Sequence, residues 1–214
     1  MSNPRIDPKT LSLYLCTDRA LALGRPLLET VEAAIDGGVT MVQLREKDIT
    51  SREFYELACA LRELTKRRKI PFVINDRLDI ALAAGADGLH IGQSDLPLEA
   101  VRGIAGERLF VGVSAGNMEE ALRAEKEGAD YLGVGAVFPT GSKADAGDAI
   151  GTDELRAICA AVRIPVVGIG GIAPDNAAQV LQSGAAGIAV ISAILSRPDI
   201  KAAAENLWRS MGSA

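Results

Sequence analysis

The feature that most constrains this chain is a regular alternation of short apolar runs with amphipathic segments. The intervening segments space apolar residues three and four positions apart, as in Phe54, Leu57, Ala58 and Leu61, which is the helical period. Eight apolar runs with the composition of buried strands lie at residues 11–16, 41–44, 71–74, 88–91, 109–113, 131–134, 165–169 and 187–191. Alternating strands and helices predict an α/β fold with a parallel sheet, and eight units predict a closed (β/α)8 TIM barrel.

The length of the chain fits one such barrel without a second domain. Its 214 residues provide about 27 residues per unit, close to the minimum for a strand, a helix and two short loops. We find no composition break or linker, and therefore predict a single barrel domain over residues 1–214, with residues 1–10 as a polar N-terminal extension. Four helices are predicted to end in glycines that precede the even-numbered strands: Gly38, Gly85, Gly128 and Gly184.

Composition excludes several classes of protein. A net charge of −5 and an aromatic content of 4% argue against a nucleic-acid surface. No apolar stretch approaches the roughly 20 residues that cross a bilayer, and the polar start lacks the pattern of a secretory signal. Three widely spaced cysteines provide neither a CxxC pair nor a disulfide framework. We therefore expect a cytoplasmic protein without a nucleic-acid or membrane partner, with the homo-oligomeric state left open.

Polar residues follow the apolar runs, where a TIM barrel places its active site. Alternation along an extended segment points Gln43, Arg45 and Lys47 to the same side after the second strand. The next three strands end in further polar side chains: Asn75, Asp76, His90, Asp95 and Ser114.

Asp76 and Asp95 come from adjacent strands and offer only oxygen ligands, which favour Mg²⁺ over zinc. Magnesium usually completes its shell with water and phosphate oxygens. Two carboxylates beside Arg45, Lys47 and Lys143 therefore predict a Mg²⁺-pyrophosphate site. The structural alternative is that these residues form surface ion pairs and loop caps.

A second anion site is predicted after strands seven and eight. Glycine-rich residues 168–172 and the Ile191-Ser192 pair occupy the positions of the common phosphate cradle of this fold. The same glycines imitate a dinucleotide fingerprint, but the acidic residue expected about 20 positions later is missing, which argues against a Rossmann fold. His90, the only histidine, is predicted to be a hydrogen-bonded pocket wall more than a general base, and loop 141–151 is a candidate lid.

These residues resemble the thiamine phosphate synthase (thiamine-phosphate pyrophosphorylase) family over nearly the whole chain. The motifs that carry the resemblance are Tyr14-Leu-Cys-Thr17, Val42-Gln-Leu-Arg-Glu-Lys47, Ile74-Asn-Asp76, Leu89-His-Ile-Gly-Gln93 with Asp95, Gly112-Val-Ser114, Phe138-Pro-Thr140, Gly168-Ile-Gly-Gly171 and Ile191-Ser192. The resemblance implies a Mg²⁺-dependent transferase that joins hydroxymethylpyrimidine pyrophosphate to hydroxyethylthiazole phosphate. It would release pyrophosphate and form thiamine monophosphate.

The resemblance also implies roles for individual residues. The metal ligands would be Asp76 and Asp95, and the catalytic residues would be Arg45, Lys47, Ser114 and Lys143. The pyrimidine pyrophosphate would contact Gln43, Arg45, Lys47, Asn75, Ser114 and Lys143. The thiazole phosphate would contact Thr140, Ser142, Gly171, Ile191 and Ser192.

Two departures from the family pattern lie near the candidate lid: Gly135-Ala136 stands where the family usually has Gly-Pro, and Ser142 replaces a threonine. The alternatives are a related thiazole tautomerase and a non-catalytic thiamine-phosphate sensor. Retention of the predicted pyrophosphate residues argues against the tautomerase.

Overall fold

The computed structural model describes residues 6–141 and 148–212 as an eight-stranded barrel surrounded by helices. All neighbouring strands are parallel, and β8 pairs with β1 to close the barrel in sequence order. The strands are β1 Leu13–Cys16, β2 Met41–Leu44, β3 Phe72–Asn75, β4 Gly88–Ile91, β5 Phe110–Ala115, β6 Tyr131–Val134, β7 Val166–Ile169 and β8 Gly187–Val190. The predicted TIM barrel is confirmed, and the closed sheet excludes the open Rossmann alternative.

Helices cover the outside of the barrel and bury its apolar outer face. They are α1 Leu27–Asp36, α2 Ser51–Arg68, α3 Leu78–Ala83, α4 Leu98–Ala105, α5 Met118–Glu127, α6 Gly151–Ala161, α7 Ala177–Gln182, α8 Ser192–Leu195 and α9 Ile200–Met211, after a 3₁₀ turn at Pro8–Leu11. The longest, α2, begins with a capping box between Thr50 and Glu53 and ends at Lys69 in a left-handed conformation. None of the described helices combines the length and apolar character that a bilayer crossing requires.

Three strands have the predicted limits and five differ by one or two residues, and proline explains two of these differences. Proline has no backbone N–H, so it cannot donate to the ladder. Pro71 and Pro165 nevertheless accept hydrogen bonds through their carbonyl oxygens, from Val42 N and Leu132 N at 3.1 and 2.9 Å. Each proline therefore precedes its strand and takes part in the sheet only as a hydrogen-bond acceptor.

The four glycines predicted to end helices all adopt positive φ, from 63° at Gly85 to 105° at Gly38. This conformation turns the chain from a helix into the following strand. These turns lie at the amino ends of the strands; because all strands are parallel, the carboxyl ends, which carry the polar residues, meet at the opposite end of the barrel.

Candidate active site

A cavity of about 930 Å³ opens at the carboxyl ends of the strands. This volume lies within the range of small-molecule sites. Its lining includes residues predicted to contact the two substrates, namely Ser114, Thr140, Gly171, Ile191 and Ser192. The structure thus brings Ser114 from β5 and the residues after β6, β7 and β8 around one space.

Charged residues gather at the ends of β1–β4, outside the lining of that cavity. We call Asp18, Arg45, Lys47, Asp76 and Asp95 the charged rim. Arg45 Nη1 lies 3.3 Å from Asp18 Oδ2, and Lys47 Nζ lies 2.6 Å from Asp76 Oδ2. Two of the three predicted cations, Arg45 and Lys47, are therefore paired with acids, as the structural alternative anticipated, but the pairs form within the predicted site.

Asp76 has an unusual backbone and an unusual environment. Its φ is +62°, a left-handed conformation that few residues other than glycine adopt, and its N–H donates to His90 O at 2.8 Å. Burial raises the pKa of Asp76; the hydrogen bond from Lys47 opposes this shift, and the neighbouring Asp95 carboxylate adds to it. The two predicted metal ligands thus lie close enough to affect each other electrostatically.

Asp95 lies in the turn after β4, and Asn75 is the last residue of β3. Asp95 Oδ2 accepts a hydrogen bond from Gly92 N at 2.7 Å, which fixes the turn after β4. Asn75 is buried and pairs in register with His90 on the adjacent strand.

A chain of hydrogen bonds crosses the inside of the barrel. Gln43 Nε2 donates to the Tyr14 hydroxyl at 2.6 Å, and that hydroxyl lies 2.9 Å from the Tyr131 hydroxyl. His90 Nδ1 lies 2.9 Å from the Tyr131 hydroxyl, and His90 Nε2 lies 2.9 Å from Ser114 Oγ. We call these five residues the interior chain. His90, predicted to be a pocket wall, lies one layer below the cavity and contacts it through Ser114.

The opposite side of the cavity is built mainly from backbone and small side chains. We call Thr140, Gly170, Gly171, Ile191 and Ser192 the glycine rim. Both glycines have positive φ, at 97° and 65°. A Cβ on Gly171 would lie 2.6 Å from Pro139 O and 2.7 Å from Phe138 Cβ, so only glycine fits there without displacement of the loop.

Two residues predicted to contact substrate, Ser142 and Lys143, lie outside the described residues, as does most of the candidate lid. The described part of the loop after β6 begins at the Gly135–Ala136 peptide bond, which is cis.

Asp18 and Arg123 were not among the residues predicted for the site. Asp18 pairs with Arg45, and Thr17 Oγ1 accepts a hydrogen bond from Arg45 N at 3.0 Å. Outside the cavity, Arg123 donates to Gln93 Oε1 at 2.5 Å. The polar Thr17-Asp18 pair directly after the first strand was the signal that could have added Asp18 to the rim.

The comparisons with known proteins agree with the geometry. The family model described as thiamine monophosphate synthase matches residues 13–194. The chain belongs to the thiamine monophosphate synthase family. Membership makes it a transferase of thiamine biosynthesis.

Individual relatives of the family match almost the full chain. The thiamine-phosphate synthase of Moorella thermoacetica is 56% identical over 91% of this chain and 93% of its own length. That of Clostridium tetani is 51% identical over 97% of both. A solved thiamine phosphate pyrophosphorylase from Pyrococcus furiosus superimposes with a TM-score of 0.90 at 46% identity, over 96% of this chain and 98% of that one.

Proposed function

We propose that this chain joins hydroxymethylpyrimidine pyrophosphate to hydroxyethylthiazole phosphate, with Mg²⁺ as its cofactor, and releases pyrophosphate and thiamine monophosphate. The charged rim would hold the diphosphate, and the glycine rim would hold the thiazole phosphate. Ser114 lies between them on the wall of the cavity. The names of the relatives, thiamine-phosphate synthase and thiamine phosphate pyrophosphorylase, support thiamine phosphate as the product.

The observation that carries the Mg²⁺ assignment is the charge balance of the charged rim. At formal charge, three carboxylates face two cations, Arg45 and Lys47, both of which form ion pairs within the rim. These five residues alone would repel a diphosphate. A divalent cation reverses that balance, and Asp76 and Asp95 offer the one or two carboxylates that Mg²⁺ typically takes beside phosphate oxygens.

The donor set suits this ion better than a self-contained metal cage. No three His, Cys, Asp or Glu side chains in residues 6–141 and 148–212 form a metal-binding group. Asp76 is partly desolvated beside a second carboxylate, an arrangement that a cation relieves. When bound, Mg²⁺ would supply positive charge that stabilises the diphosphate as it leaves.

We further propose a dissociative reaction in which the C–O bond to the diphosphate breaks before the new C–N bond is complete. The aminopyrimidine ring can share the resulting positive charge. Arg45 and Lys47 would bind the departing oxygens, and Lys143 would join them from the loop. The glycine rim would orient the thiazole nitrogen toward the cation, which lowers the entropic barrier to capture.

The test is incubation of the full chain with both phosphorylated substrates, with Mg²⁺ or with a chelator. Oxidation of thiamine monophosphate to a fluorescent product and a coupled pyrophosphate assay would measure both products. We expect equal amounts of the two products, formed only with Mg²⁺. Turnover in the chelator would contradict the metal assignment, and binding of either substrate without product would favour the sensor.

A second experiment tests the dissociative path. An electron-withdrawing substituent on the pyrimidine ring disfavours a cation, so single-turnover rates with such an analogue should fall by several orders of magnitude. A rate within a few fold of that of the natural substrate would contradict a cationic intermediate.

A further inference from the structure

Four of the five residues of the interior chain are buried, all except Ser114 on the cavity wall, and the barrel makes room for them. Tyr14 and Tyr131 are at most 2% exposed, and Gln43 and His90 are buried. Hydroxyl, amide and imidazole groups inside a barrel cost free energy unless each is hydrogen-bonded. In the described parts of the chain, no buried side-chain nitrogen or oxygen lacks a partner.

Two glycines on β5 and β6 accommodate the rings of this chain. A Cβ on Gly112 would lie 2.0 Å from Tyr131 Cζ, and a Cβ on Gly133 would lie 3.0 Å from His90 Cε1. Gly112 pairs in register with His90 on one side and with Tyr131 on the other. The strands thus lack side chains at the points where these two rings need space.

The hydrogens of the interior chain have one consistent direction. Burial raises the pKa of both tyrosines, so each hydroxyl keeps its proton. The Tyr14 hydroxyl accepts from Gln43 Nε2, which leaves its own hydrogen for Tyr131. With the Tyr14 hydrogen directed at it, the Tyr131 hydroxyl has its own hydrogen left for His90 Nδ1, 2.9 Å away.

The direction continues to the wall of the cavity. With Nδ1 as an acceptor, neutral His90 carries its proton on Nε2 and donates it to Ser114 Oγ. Among the described residues, His90 is the only hydrogen-bond partner of Ser114 Oγ. The hydrogen of the Ser114 hydroxyl therefore remains available to a molecule in the cavity.

We propose that Tyr14, Tyr131 and His90 are positioning residues that fix the Ser114 hydroxyl as a hydrogen-bond donor to the pyrimidine diphosphate. This inference rests on the proposed function for the identity of the substrate. The interior chain does not transfer a proton during the reaction. It sets the direction of each hydrogen bond before the substrate binds. Such orientation matters most as negative charge develops on the departing group.

The tautomer of His90 tests the direction without any turnover. Because His90 is the only histidine in the sequence, ¹⁵N-histidine labelling of the full chain gives one imidazole, which needs no assignment. Long-range ¹H–¹⁵N spectra should show a proton on Nε2 and none on Nδ1. A proton on Nδ1, or an averaged mixture, would overturn the proposed direction even if the enzyme forms product normally.

The activity test is a double-mutant cycle with Tyr131→Phe and Ser114→Ala. Tyr131→Phe keeps the ring but removes the hydroxyl, and we expect kcat to fall about tenfold, with the KM of both substrates nearly unchanged. If Tyr131 acts through Ser114, the double variant should be no slower than Ser114→Ala. If the double variant instead lost kcat by the product of the two single-variant factors, the proposal would be overturned.

A matched variant separates positioning from lost stability. Phe54→Leu removes volume from a buried ring on α2, between the helix and the outside of the barrel. It should lower the melting temperature at least as much as Tyr131→Phe and leave kcat unchanged. If Phe54→Leu lowers kcat as far as Tyr131→Phe does, general destabilisation explains the loss and the positioning role is wrong. Absence of product with the unaltered chain would instead contradict the proposed function.

Discussion

The charged rim and the glycine rim would both bind phosphate groups, yet they are built from different materials. The charged rim uses long side chains whose charges pair with one another, as in the 2.6 Å contact between Lys47 and Asp76. The glycine rim places backbone against the cavity at two glycines with positive φ. A diphosphate that leaves develops negative charge, so its site must stabilise it more strongly as the bond breaks. A phosphate that only anchors a substrate needs a binding site of fixed shape.

The largest effect is expected from substitution of the two carboxylates proposed to bind Mg²⁺ in the charged rim. Asp76→Asn and Asp95→Asn should each reduce kcat/KM by at least about a hundredfold and raise the Mg²⁺ concentration for half-maximal rate. Steady-state assays over a range of Mg²⁺ concentrations measure both quantities. Normal activity in either variant would remove that residue from the metal site.

Asp87→Asn is the matched control for the carboxylate variants. Asp87 precedes β4 at the opposite end of the barrel, where it accepts hydrogen bonds from Arg62 Nη1 and Phe72 N at 2.7 and 2.8 Å. Replacing the Asp87 carboxylate with an amide should lower the melting temperature but leave the Mg²⁺ dependence of the rate unaltered.

The next effect concerns the shape of a cation in the charged rim. Arg45→Lys keeps the charge but loses the planar fork that binds two phosphate oxygens at once. We expect the single-turnover rate to fall roughly tenfold or more, since the fork would act on the departing diphosphate. An unchanged single-turnover rate with a raised KM would instead limit Arg45 to binding. Arg62→Lys, on the remote Asp87 pair, should alter neither quantity.

A smaller effect is expected from the glycine rim. Gly171→Ala must displace Pro139 or Phe138 and would distort the backbone of the proposed anchor. The KM for thiazole phosphate should rise about tenfold with little change for the pyrimidine substrate, which initial-rate kinetics can separate. An equal rise for both substrates would mean that the two rims are not separate sites.

Gly85→Ala is the control for that substitution. Gly85 has nearly the same φ, 63° against 65°, but beyond its two chain neighbours an added Cβ would have no heavy atom within 4 Å. Both variants carry the strain of a left-handed alanine, about 1–2 kcal/mol. Only Gly171→Ala should also change the kinetics of the thiazole substrate.

The same contrast explains what could be predicted from the sequence. Valine, isoleucine and leucine runs mark the strands, and the fold places their polar successors at one end, so Arg45, Asp76 and Ser114 could be identified. The glycine rim was visible only as a glycine pattern at a known position of the barrel.

Long-range pairings could not be predicted in the same way. Tyr14 and Tyr131 are 117 residues apart, and their hydroxyls meet only because the barrel closes with both rings inside. Their places in apolar strands made them look like ordinary core residues. The pairing of Arg45 with Asp18 likewise depends on side-chain reach between β1 and β2, which residue spacing does not encode.

The smallest predicted effect concerns stability and pH. The folded-state pKa of Asp76 is raised, chiefly by burial, so the folded protein binds this proton more tightly than the unfolded chain does. Asp76 therefore favours folding while protonated, and this contribution is lost as pH rises from the ordinary aspartate pKa through the folded one. An amide does not titrate, and asparagine tolerates the left-handed backbone at this position. Without Mg²⁺, the melting temperature of Asp76→Asn relative to the unaltered chain should increase with pH.

Asp79→Asn should show the opposite trend, which makes the pair a sharp comparison. The hydrogen bond from Arg77 lowers the pKa of Asp79, so its contribution to stability is present above the unfolded aspartate pKa and is lost as pH falls. Asp79 is well exposed, so solvent screening keeps the effect small. Thermal melts of both variants at pH values of about 4, 5.5 and 7 should give slopes of opposite sign. If the melting temperatures of both variants changed with pH in the same direction, Asp76 would not be desolvated as described. The charge argument for Mg²⁺, which partly rests on that desolvation, would then fail.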